Sequence, residues 1–349
     1  MARVLFAVCG VGLGHAGRSS ILIKNLSRRH ELLITSYSEG LPFLKKEFGK
    51  VEALNWFKYY FHSDGRIDRL KSIAFNSVKV PFVLFHNFSR LRKIIREFRP
   101  EVIVSDFDFN GLYAGKLSGI KVILISNMHL ANYFKTRLSF SQKIAYSLTD
   151  ELMLRAYFSA DRFLVTSIMK PENSGRMEFF HPLVREDLAG KKPQDQGFFL
   201  AYASKENLQN FTNLFREFPD KRFVVYGSSR KHGNVEFKSF SREDWADDML
   251  NCSGVLCHGG MGTISEAVVL KKPVYVTASI DWFERFHNGA MVKELGFGVA
   301  EENPSMQGLT EFFSGNKKFS AQLKKANIKA SNKEFKGRLE ELIQQYSKQ

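Results

Sequence analysis

Val255-Leu256-Cys257-His258-Gly259-Gly260-Met261-Gly262-Thr263-Ile264-Ser265-Glu266-Ala267 runs from a short apolar stretch, through three glycines, into a helix-compatible segment. The apolar run predicts a buried strand ending at His258, and the helical pattern opens at Thr263. Glycines let backbone approach a ligand closely, while a helix start presents unpaired N–H groups and the positive end of a dipole. His258, Gly259, Gly260 and Gly262, with Thr263 at the helix start, therefore read as a diphosphate cradle. Glu266 falls one turn into the helix, where a carboxylate accepts from ribose hydroxyls. The competing explanation needs no ligand: Thr263-x-x-Glu266 is also the spacing of a capping box.

The same strand-then-helix alternation extends in both directions. Apolar runs at 4–8, 31–35, 102–105 and 122–126 precede a polar, glycine- and proline-bearing stretch at 184–196. The alternation restarts at 198–202, 223–226, 255–257 and 274–277. Strands alternating with helices imply parallel sheets. The expected fold class is α/β, with two Rossmann-like, doubly wound domains at 1–185 and 197–330, a linker at 186–196 and an amphipathic helix at 331–349.

The 349 residues are 44% hydrophobic, enough for two cores, and no apolar run approaches the ~20 residues of a membrane-spanning helix. The apolar start of the chain fits a buried first strand better than a signal peptide, having no small-residue cleavage pattern. Cys9, Cys252 and Cys257 form no metal-ligand spacing, and an odd count suits a reducing compartment, so a cytoplasmic location is expected. The net charge of +15 points to an anionic partner. Residues 56–100 hold ten Lys or Arg against Asp64, Asp68 and Glu97, together with ten aromatics. No nucleic-acid motif accompanies them, so nucleic acid is not an expected partner. Two alternatives stand side by side: a peripheral contact with an anionic membrane, and a solvated helix face with its aromatics in the core.

Beyond the glycine loop come Lys272-Pro273, Asp281-Trp-Phe-Glu284-Arg285-Phe-His-Asn288-Gly-Ala290 and Leu295-Gly-Phe-Gly298. In that order these resemble the donor half of UDP-sugar glycosyltransferases of the GT-B fold. That group includes the lipid-linked N-acetylglucosamine transferase of peptidoglycan synthesis and the UDP-glycosyltransferases. Near the start, Gly12-Leu-Gly14-His15-Ala-Gly-Arg18 is similar to the Gly-x-Gly-His-x-x-Arg opening of a microbial branch of the superfamily. The resemblance implies a transferase using a UDP-sugar as co-substrate, with two domains facing a cleft. It implies diphosphate contacts from His258 and the glycine backbone, ribose contacts from Glu266, and donor-sugar contacts from Glu284, with Asn288 on the same wall. Uracil would be held by backbone near Phe240 and Ser241. The family usually has Gln after the acidic residue; Arg285 stands there instead. A bidentate cation in that place suggests a carboxylated sugar, a reshaped phosphate contact or a degenerate site.

His15 follows the first strand, where a loop faces the crevice between domains, and imidazole suits the base that inverting transfer requires. Asp106, ending another strand, would orient it, and Arg18 would hold a phosphate or cover a helix end. The plain alternatives are a hydrogen-bonded His beside a tight turn and a helix-capping Asp. Asp106-Phe-Asp108 imitates an Asp-x-Asp metal motif, but it lies in the half opposite the donor cradle, so no metal or other cofactor is expected. Gly10-x-Gly12-x-Gly14 lacks dinucleotide-site spacing. The acceptor stays open, with a lipid among the candidates. An epimerase or hydrolase acting on nucleotide sugars, or a non-catalytic nucleotide-sugar-binding protein, are the alternatives to a transferase.

Overall fold

The computed structural model describes residues 1–57, 60, 69–134, 136, 138–140, 143, 146, 151–202, 205–226, 231–239 and 241–349. The first sheet comprises β1 (Arg3–Val8), β2 (Glu31–Ser36), β3 (Glu52–Ala53), β4 (Val102–Asp106), β5 (Lys121–Ser126), β6 (Arg162–Thr166) and β7 (Met177–Phe180). Its order is β3-β2-β1-β4-β5-β6-β7, parallel throughout. The second comprises β8 (Phe198–Tyr202), β9 (Arg222–Tyr226), β10 (Lys231–His232), β11 (Val235–Lys238), β12 (Gly254–Cys257), β13 (Val274–Thr277) and β14 (Gly298–Glu301). Its order is β10-β11-β9-β8-β12-β13-β14, parallel except for the small β10–β11 hairpin at one edge.

Helices cover both faces: α1 (Gly14–Leu26), α2 (Gly40–Phe48), α3 (Arg69–Ser77), α4 (Lys79–Phe98), α5 (Phe109–Leu117) and α6 (Leu152–Ala156) in the first half. The second half carries α7 (Lys205–Arg216), α8 (Arg242–Asn251), α9 (Met261–Val269), α10 (Phe283–Glu294), α11 (Met306–Ala326) and α12 (Asn332–Tyr346). Two-sided cover explains why the central strands read as unbroken apolar runs: Val4, Leu5, Phe6, Val102, Ile103, Val104 and Val122 are all fully buried. No strand or helix lies between β7 and β8. The last helix crosses back to the first half: Phe335, Leu339, Leu342 and Ile343 pack into the cluster containing Val4, Phe6, Leu22 and Val104.

In each sheet the chain starts in the middle, winds to one edge, then returns to wind toward the other. The reversal leaves a crevice at the carboxyl ends of β1 and β4, and another at those of β8 and β12. Ligands of open α/β sheets bind at such switch points. His15 and Asp106 border the first; Tyr202 and His258 border the second.

Candidate active site

At the first switch point Asp106 is the hub. His15 Nδ1 lies 2.8 Å from its Oδ1, and Arg18 Nε donates to Oδ2 at 3.1 Å. Arg18 Nη2 also donates to Oδ1, and Ser19 Oγ donates to Oδ2 at 2.7 Å. Burial opposes the charge on Asp106, but the Arg18 guanidinium and the His15 hydrogen bond outweigh it and hold the carboxyl well below the usual carboxylate range. Arg18 Nη2 also approaches His15 Nδ1 at 3.1 Å. The contact with the carboxylate is shorter and charge-assisted, so it sets the tautomer. Nδ1 keeps the proton and Nε2 carries the lone pair, with no hydrogen bond to it among the described residues.

Phe107 makes this geometry possible. Its backbone is left-handed, at φ 52°, a strained choice for a bulky residue. The bend separates Asp106, aimed at His15, from Asp108, which caps α5 by accepting from Gly111 N at 2.6 Å. The Phe107 ring stacks between His15, centroids 5.8 Å apart, and Tyr157, at 4.5 Å. Both carboxylates of the Asp-x-Asp pair therefore have protein partners of their own.

At the second switch point α9 opens at Met261, two residues earlier than the sequence pattern suggests, with Gly260 at its cap and, among the described residues, no side chain bonded to its first amides. That position removes the capping box: Thr263 lies inside the helix, and Glu266 instead accepts from the Trp245 indole at 3.1 Å. Burial pushes the Glu266 carboxyl up to about 7. Gly259 is left-handed at φ 79°, and a Cβ there would meet the Arg285 carbonyl oxygen at 2.6 Å. Gly260 and Gly262, in contrast, face open space. His258 stacks on Tyr202, centroids 5.2 Å apart, and its Nδ1 lies 3.2 Å from the Tyr202 carbonyl oxygen.

Other residues expected to contact the donor have protein partners of their own. Asn288 is buried and donates to the Gly259 carbonyl at 2.9 Å, so it shapes the loop from behind and offers no wall to a sugar. Ser241 caps α8, accepting from Asp244 N at 3.2 Å. Phe240 lies outside the described residues. Glu284 is in the first turn of α10 and accepts from Asn127 Nδ2 of the first half at 2.7 Å. Its charge also acts on Arg18, and its bond to Asn127 ties α10 to the first half. Arg285 stacks on Trp282, its Cζ 4.7 Å from the ring centroid. Gly12 is left-handed and its N–H reaches Glu39 at 3.4 Å; no heavy atom crowds Gly14.

Sequence reasoning passed over Asn127, Ser19, Tyr202, Trp245 and Trp282. Asn127 had a signal, being the polar residue that directly follows β5. Trp245 had none, because only the fold brings α8 against α9. A cavity of about 620 Å³ lies elsewhere, against the face of α10 carrying Phe286, Gly289 and Lys293, with Phe134 and Thr136 of the first half alongside. Neither His15 nor His258 lines it.

The whole fold is shared with known transferases. The glycosyltransferase of kitacinnamycin superposes with a TM-score of 0.65 at 16% identity, covering 99% of each chain. Phytolacca americana UGT2, a structure complexed with UDP-2-fluoro-glucose and pterostilbene, gives 0.64 at 13% identity over 99% of this chain and 100% of that one. An uncharacterized glycosyltransferase of Methanosarcina acetivorans is 24% identical over 325 residues, 85% of this chain and 84% of that protein. A family model for glycosyl transferase family 1 matches residues 2–315. The chain belongs to that family and is a glycosyltransferase of the GT-B fold.

Proposed function

We propose that the protein moves a sugar from a UDP-linked donor to a hydroxyl acceptor with inversion. The observation that carries this is the pairing of an oriented imidazole at one switch point with an open, uncapped helix start at the other. His15 Nε2 takes the acceptor proton while the acceptor oxygen attacks the sugar C1 and the C1–O bond to UDP breaks. Asp106 fixes the ring and offsets the charge it gains. The diphosphate rests on the amides of α9 beside Gly260 and Gly262, and Glu266 takes the ribose hydroxyls. Millimolar UDP should raise the melting temperature, since a ligand of the folded state stabilises it. A folded protein showing no shift with UDP would remove the donor assignment. UDP release that depends on added acceptor supports transfer, whereas release without acceptor supports hydrolysis.

The acceptor side of the proposal includes a membrane. Phe82 and Phe85, three apart on α4, are 73% and 75% exposed; Val78 at the cap of α4 and Phe75 on α3 are 71% and 52% exposed. Arg92, Lys93 and Arg96 are exposed further along α4. Trp56 belongs elsewhere, stacked on Tyr37 with centroids 4.3 Å apart, and Arg90 is paired with Glu52 at 2.9 Å. Exposed apolar side chains beside exposed cations, of which Lys93 lies 3.8 Å from Glu97, suit an anionic bilayer carrying a lipid acceptor. Among the described residues no helix is long and apolar enough to cross a membrane. Sedimentation with acidic vesicles, weakened by salt and lost when Phe82 and Phe85 become Ser, is the expected result. Equal binding to neutral and acidic vesicles, or none, removes this contact and leaves the donor assignment standing.

A further inference from the structure

Arg285 leaves the first turn of α10 with its backbone against Gly259, so its side chain rises from the wall of the glycine loop. The guanidinium lies over Trp282, and among the described residues it makes no hydrogen bond or ion pair. Burial works against its charge; Glu284 is the first opposing influence, yet that carboxylate's hydrogen bond comes from Asn127. A guanidinium offers five N–H donors in a planar fork, and stacking on indole fixes the plane without using any of them. Half-buried and without a described hydrogen-bond partner, such a fork is satisfied best by two oxygens of one anion. Arg18, the cation at the first switch point, is in contrast bound to Asp106.

We propose that Arg285, held flat by Trp282, is an oxyanion receptor in the donor cleft, gripping two oxygens of an anionic group on the nucleotide sugar. The proposal rests on the donor lying in this cleft. The oxyanion has two sources on such a donor: the diphosphate, or a carboxylate on a hexuronic sugar. The amides of α9 already face the diphosphate, which leaves Arg285 available to the sugar; the two sources differ in what they predict.

The test is calorimetric titration of the full chain with UDP, UDP-glucose and UDP-glucuronate, for the wild type, Arg285→Gln and Arg285→Lys. Loss of a charge-assisted pair should weaken the affected ligand about tenfold or more in Arg285→Gln. Lys, keeping charge without the fork, should restore only part. Loss confined to UDP-glucuronate assigns the sugar carboxylate; equal loss for all three assigns the diphosphate. Unchanged affinity for all three in Arg285→Gln, with an unchanged melting temperature, overturns the receptor. Should Arg285→Gln melt early, the Lys variant decides, because wild-type affinity there also overturns the fork. If the wild type binds none of the three, the donor-cleft reading falls by itself, and inorganic pyrophosphate becomes the probe. Binding lost in Arg285→Gln then keeps the receptor, and no difference overturns it.

Discussion

At the first switch point Asp106 accepts from His15, Arg18 and Ser19, and the aromatic ring of Phe107 closes one side of the imidazole. At the second, α9 is capped by Gly260, Gly260 and Gly262 face open space, and among the described residues no side chain bonds the first amides of α9 and no acid bonds Arg285. The first crevice ties its charged groups to one another; the second, at the corresponding reversal of its sheet, presents glycine backbone and a guanidinium with no described hydrogen bond. Internal satisfaction fixes a side chain in one tautomer and one orientation. Unsatisfied donors are affordable in the folded protein only where water or a ligand can reach them. The first arrangement suits a reagent that must be held still, the second a receptacle.

The comparison breaks most directly at Asp106. Asp106→Ala leaves the Arg18 guanidinium, 12% exposed, without its carboxylate. Removing one partner of a buried pair costs about 3–5 kcal/mol, so a drop in denaturant midpoint should accompany the loss of turnover. The depressed carboxyl also fixes the pH behaviour. Its stabilisation is present above the unfolded aspartate value of about 3.9 and is lost only as pH falls toward the lower folded value. A melting temperature that stays flat from pH 8 to 5 is therefore expected from this pair. His15→Ala should act differently: turnover falls by about 100-fold or more, with stability and UDP affinity nearly unchanged. Normal turnover in that variant would end the base assignment, and lost UDP binding would move His15 to the donor.

The receptacle is tested by two glycines that look alike in sequence. Gly259→Ala must force a Cβ into the Arg285 backbone in a left-handed conformation, so it should destabilise the apo protein by more than about 1 kcal/mol. Gly262→Ala meets no atom, and in a helix Ala is favoured over Gly by about 1 kcal/mol. It should therefore melt at or above the wild-type temperature while binding UDP about tenfold more weakly, because the new methyl occupies ligand space. Equal UDP affinity would show that the space beside Gly262 is not the diphosphate site.

Much of this was legible from the chain. The two parallel sheets follow from the alternation of apolar runs with helical segments, and the runs at 198–202 and 274–277 coincide with β8 and β13. What escaped was either too short for periodicity, as with β3 and β10 at two residues each, or decided by tertiary contact. The start of α9 moved to Met261 because Gly259, locked against Arg285, ends the turn earlier than propensity indicates. Asn288 became a support for the loop because α10 packs behind it. The Asn127–Glu284 bond joins residues 157 positions apart and has no local signature at all.

The smallest effect expected is a pH dependence of donor affinity set by Glu266. Burial, the dominant influence, raises this carboxyl from 4.5 to about 7, while the Trp245 indole opposes it. A raised carboxyl holds its proton more tightly when folded. Its contribution to stability is therefore greatest below about 4.5 and falls as pH rises to about 7. Ligand binding has the opposite sign. Ribose hydroxyls donate to the ionised form, so bound donor favours loss of the proton. Between pH 8 and 6 the ionised fraction falls by about tenfold for a group at about 7, and affinity should weaken by up to that factor. Glu266→Gln cannot ionise, so its affinity should stay level across that interval while its apo stability no longer declines with pH. A wild-type affinity that stays flat from pH 8 to 6 would detach Glu266 from the ribose and leave it as a buried partner of Trp245, placing the nucleoside elsewhere along α9.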